Sequence, residues 1–124
     1  MPNPFIHVEL NSTNVPKAKA FYSKLFKWKL KDLPMPTPGG DYTMIEVGKG
    51  PGTGGGIMKQ MMPQASSAWL AYVLVKDIDA STKQAKKLGA KICKDVTEVE
   101  GMGWLSIIVD PTGAMLGLWE PKDE

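Results

Sequence analysis

The chain has 124 residues, of which 43% are hydrophobic and 23% charged, with a net charge of +2. That is the make-up of one globular domain large enough to bury a core. It lacks the long Lys/Arg run of a nucleic-acid binder and any stretch of membrane-spanning length. The lone Cys93 leaves no partner for an internal disulfide. With no basic-then-apolar leader in Met1-Pro2-Asn3-Pro4, a cytoplasmic location is expected.

Residues 5–10 alternate as a strand, with Ile6, Val8 and Leu10 on one face and Phe5, His7 and Glu9 on the other. Thr13 and Asn14 are N-cap residues, and Pro16 suits a first helical turn. Val15, Ala18, Phe21, Tyr22, Leu25 and Phe26 then recur at helical spacing. Trp28 and Leu30 suggest a strand, and the Pro/Gly-rich residues 32–41 a loop. Strands are expected over 42–47 and 57–61, around a glycine-rich turn at 48–56, with 64–67 as a linker.

The second half repeats this order. Residues 69–75 form a strand, Asp77 caps a helix striped by Ile78, Ala85 and Leu88, and Gly89 suits the position past the helix end. Residues 91–96 predict a short or irregular strand, and 104–109 and 114–119 two more, joined by the Asp110-Pro111-Thr112-Gly113 turn. Residues 120–124 read as a frayed tail. The spacing between caps Asn14 and Asp77 makes this a βαβββ unit written twice, about 63 residues apart, with modules near 4–63 and 68–121. Neither unit can bury its own sheet face, so the expected fold is α+β, with the two modules enclosing a cavity or core.

His7 is the only histidine. On a cavity-facing strand it could bind a metal or act as a base near neutral pH, and Glu9 shares its face as a second ligand or a base. The glycine run at 48–56 has no phosphate-loop ending. Lys24, Lys27, Lys29 and Lys31 read as a solvated face. Trp69, Tyr72, Trp104 and Trp119 fall on predicted strands, where they serve either as core or as the walls of a small-molecule pocket. Eight methionines, Met44, Met58 and Met115 among them, could instead fill the cavity.

The strand ending at Leu10, the turn to Asn14, the Ala20-Phe21-Tyr22 helix segment and the Asp110-Pro111-x-Gly113 turn followed by an apolar strand and Glu120-Pro121 resemble the vicinal oxygen chelate superfamily. That superfamily includes glyoxalase I, extradiol dioxygenases and bleomycin-type resistance proteins. The resemblance spans nearly the whole chain. It implies a partly open mixed β-barrel around a cavity, usually paired as a homodimer, with metal ligands drawn from the first and last strand of each module. On this sequence the four positions read His7, Lys59, Leu70 and Gly117. Glu120, an odd number of residues from Gly117, points to the other sheet face.

A catalytic divalent ion needs about three protein ligands, and a lysine at the centre would repel it. The resemblance therefore implies a glyoxalase-like protein without a metal cofactor, binding a small organic ligand through His7, Glu9 and Lys59 between walls of Tyr72, Trp104 and Trp119. Four alternatives stand beside it: a metal-free lyase or isomerase with His7 or Glu9 as base, a drug-sequestering resistance protein, a divalent metal site on His7, and a filled cavity.

Overall fold

The computed structural model describes residues 2–34 and 40–122. The elements follow the order β1 (Phe5–Ser12), α1 (Val15–Phe26), β2 (Lys29–Leu33), β3 (Tyr42–Glu46), β4 (Gly55–Lys59), β5 (Ala68–Leu74), α2 (Ile78–Lys87), β6 (Lys91–Val99), β7 (Gly103–Val109) and β8 (Met115–Pro121). Two βαβββ modules in an α+β fold are therefore present. Residues His7–Leu70 form one compact unit. Ala71 onward forms the other, together with the residues preceding His7. No described helix is long and apolar enough to cross a membrane.

In the first module the hydrogen-bonded strand order is β2-β3-β4-β1. The β1–β4 pair is parallel, and the other two pairs are antiparallel. Asn14 caps α1 as expected, its side-chain oxygen accepting from the Lys17 N–H at 3.1 Å. Leu10, Ile45 and Ile57 form the buried core, and Val15, Ala18 and Tyr22 of α1 pack on it. The helix stripe is narrower than the apolar spacing suggested: Phe21, Leu25 and Phe26 are more than half exposed. Phe21 sits about 100° round the helix from Tyr22, so it falls on the flank.

The second module repeats the arrangement as β5-β8-β7-β6, with β5–β8 parallel. Val75, Ile78, Ile108 and Leu118 are its core. Asp77 caps α2 by accepting from the Ala80 N–H. Glu120 supports the same helix end, its Oε1 accepting from the Ile78 N–H at 2.9 Å. Beneath α2, the hydroxyls of Thr82 and Ser106 hydrogen-bond at 2.9 Å, both buried.

Three sequence expectations are corrected. First, β4 begins at Gly55 rather than 57, because its ladder with β1 starts at the Val8–Gly55 pair. Second, β6 is long rather than short, and two register breaks between Ile92 and Thr97 account for its irregular pattern. Third, residues 120–122 are not frayed: β8 runs to Pro121, and the Lys122 N–H donates to the Met102 carbonyl at 3.0 Å. Of the expected loop at 32–41, Asp32 and Leu33 belong to β2, while residues 35–39 lie outside the described residues, as do 123–124.

The buried hydroxyl pair is a sensitive point in the second module. Ser106→Ala would strip Thr82 of its partner in a site with no water access. It is expected to destabilise the protein by about 1–3 kcal/mol, measured by urea unfolding. Replacing both residues, as Thr82→Val with Ser106→Ala, should recover part of that loss.

Candidate functional site

Side chains alternate along β1, so His7 and Glu9 lie on the face opposite Leu10 and α1. The ladder register extends this face across the module. Glu9 pairs with Gly56 and Asn11 with Met58 on β4, and Gly56 pairs with Met44 on β3. Tyr42 reaches into the same face. Its hydroxyl lies 2.6 Å from His7 Nε2. The ring also covers Gly56, where a Cβ would come within 2.0 Å of the Tyr42 oxygen. Only glycine allows that approach. Glu9 is 6% exposed and His7 half-buried. Burial of the imidazole lowers its pKa from 6.5, so the ring is neutral at physiological pH.

Lys59 is not brought to this face. It pairs with Ser12, on the side of Ile57, and is exposed. The lysines on the face of Met44 and Glu46 are Lys31 and Lys29, by their register on the edge strand β2. The solvated basic run thus alternates with Leu30, which packs against the core.

In the second module Tyr72 is 4% exposed and pairs with Gly117. A Cβ on Gly117 would lie 2.4 Å from the Tyr72 ring. Trp119 shares the Gly117 face by alternation. Trp104 does not: it pairs with Glu120 and packs against the core under α2, with Lys122 Nζ 5.6 Å from its ring centre. Of the three expected wall residues, Tyr72 and Trp119 share a face, and Trp104 lies on the other.

Sequence reasoning missed Tyr42 and Gly56. The signal was present. A glycine inside a strand marks a close approach, and Tyr42 alternates with the buried Thr43 and Ile45.

Residues 5–118 match the profile of the Glyoxalase/Bleomycin resistance protein/Dioxygenase superfamily. The chain belongs to that superfamily. It is 33% identical over 117 residues to the Mycobacterium tuberculosis protein CFP32, provisionally named a glyoxylase, in a match that covers 91% of this chain and 44% of that relative. The chain thus spans less than half the length of the curated relatives it matches. Among solved structures, a hypothetical protein of Bacillus halodurans is similar with a TM-score of 0.75 at 15% identity, covering 100% of this chain and 98% of that one. A methylmalonyl-CoA epimerase from Mycobacterium tuberculosis is similar with a TM-score of 0.71, also at 15% identity, covering 96% and 88%.

The ladders correct the superfamily's ligand positions as read on this chain. Glu9, five residues before cap Asn14, pairs with Gly56; Tyr72, five before cap Asp77, pairs with Gly117. The counterpart of Gly117 is therefore Gly56, and that of Lys59 is Glu120. The four positions become His7, Gly56, Leu70 and Gly117, three of them without a donor atom in the side chain. Glu120 is spent on the α2 N-terminus. Among the described residues no three His, Cys, Asp or Glu side chains are grouped to hold an ion. The residues at these positions do not fit the superfamily's divalent metal.

The lowered His7 pKa has a consequence for stability. Below pH 6.5 the unfolded chain takes up a proton that the buried ring resists, so stability falls as pH drops from 6.5 until the folded ring itself protonates. In His7→Gln this component is expected to vanish, leaving a flatter stability profile between pH 7 and 5, measured by denaturant midpoints.

Proposed function

We propose that the protein binds a small organic ligand on the face of His7, Glu9 and Tyr42, without a metal. The observation that carries this reading is the Tyr42–His7 hydrogen bond beside Gly56. It engages Nε2 of the one imidazole available, at the position where the superfamily would offer it to an ion. What remains is a neutral imidazole, a phenol and a buried carboxylate, a set suited to a ligand bearing hydroxyl and carbonyl groups. Lys29 and Lys31 lie on the edge strand of this face, Lys29 opposite Glu46. The name of the curated relative, a glyoxylase, accords with a ligand of this size and oxygen content. Pairing of two copies and a cytoplasmic location belong to the same proposal.

A second reading has one observation in its favour. With Nε2–H donating to the Tyr42 oxygen, Nδ1 of the neutral imidazole can accept a proton from a carbon acid while the phenol O–H donates to the developing oxyanion. The protein would then be a metal-free isomerase or lyase with His7 or Glu9 as base.

The test is a panel of 2-oxo and 2-hydroxy carboxylic acids screened by tryptophan fluorescence on protein treated with EDTA. At least one acid is expected to bind saturably, unchanged by EDTA, and at least tenfold more weakly to Glu9→Gln and Tyr42→Phe, about 1.4 kcal/mol. Stoichiometric metal that is lost in His7→Ala, or turnover of the methylglyoxal hemithioacetal on adding Ni²⁺ or Zn²⁺, would overturn the metal-free reading. Deuterium incorporation into a bound acid in D₂O, lost in His7→Ala or Glu9→Gln, would favour the isomerase.

A further inference from the structure

The face of the first module opposite His7 carries a cavity. Val8 and Ile45 point into it, alternating with the inward-facing residues of β1 and β3. Trp28 and Trp69 form two of its walls, Val47 stands at its rim, and Thr53, Gly54 and the first β4 residue, Gly55, also line it. Its volume is about 280 Å³.

Both indoles are held in place. Tyr22 stacks on Trp28 with ring centres 5.8 Å apart and planes 20° apart. It also meets Trp69 edge-on at 5.5 Å. Trp69 nevertheless leaves 42% of its surface exposed and Val47 40%. Two rigid apolar surfaces thus face an open volume. The cavity sides carry no ionisable side chain, so a charged guest would lose its hydration without gaining a partner. The size sets a scale: a dry cavity of roughly 150 Å³ takes one benzene, so this one matches two fused rings.

We propose that this cavity is a binding site for an uncharged, planar, two-ring aromatic compound, separate from the His7 face. Size, flat walls and absence of charge point to the same chemistry.

Coumarin has these properties and serves as the probe, with coumarin-3-carboxylate as the charged control. The four tryptophans yield four indole N–H signals in a ¹⁵N-labelled sample, assignable by single Trp→Phe variants. Coumarin is expected to move the Trp28 and Trp69 signals saturably and to leave those of Trp104 and Trp119 in place. The carboxylate should bind at least tenfold more weakly. Val47→Lys, a change at an exposed rim position, should weaken coumarin at least tenfold with the Trp104 and Trp119 signals unmoved, which reports an intact fold. His7→Ala should bind coumarin as the parent does, separating this site from the His7 face. Shifts at Trp119 alone, or none up to the solubility limit of coumarin, would overturn the proposal. So would Trp28 and Trp69 signals that move with protein concentration in the absence of coumarin and are fixed by Val47→Lys, since a second copy would then be the occupant.

Discussion

A tyrosine ring laid against a glycine, once in each module, is the contact on which the character of the site depends. Tyr42 lies on Gly56, and Tyr72 lies on Gly117. In each case the glycine sits on the strand that pairs in parallel with the module's first strand. A side chain at either glycine would meet the ring at well under van der Waals distance, so glycine and tyrosine require each other. The superfamily's metal chemistry asks for a donor at those same two positions. This chain has aromatic surface there instead, and the lone His7 is drawn into a hydrogen bond with one of the two phenols.

The alternation of β1 and β3 then divides the first module into two chemically different sides. One side carries His7, Glu9 and Tyr42, with lysines on the edge strand. The other carries Leu10, Ile45 and Ile57 under α1, and past the helix end the indole-lined cavity. A register slip of one residue would exchange the two sides. The Glu9–Gly56 pair opposes a slip toward Ile57, whose side chain would take the place of the Tyr42 ring.

The duplicated fold was legible in the sequence because its signals are local: Asn14 and Asp77 as caps, the period of two in residues 5–10, and the Asp110–Gly113 turn. His7 and Glu9 were legible for the same reason, since one strand's alternation puts them together. Lys59 was misplaced because counting from a glycine-led strand start assumes that both strands begin at equivalent points. The ladders show a three-residue offset, which only cross-strand pairing reveals. Strand propensity alone does not say which face of β7 meets α2, so the sequence does not separate Trp104 as core from Trp104 as a wall. Tyr42 went unnoticed because its partners, His7 and Gly56, are distant in sequence and become neighbours only once β3 and β4 are in register.

In both modules the strand made last is not the one at the edge. β4 inserts between β3 and β1, and β8 between β7 and β5. A nascent chain that has emerged only as far as β3 or β7 therefore holds two strand groups with no bridge between them. Glu120 sharpens this for the second module, because the carboxylate that completes the start of α2 lies 42 residues further on. Each half must wait for its final segment before it can close cooperatively. Until then its apolar strand edges stay open to chaperones or to wrong partners.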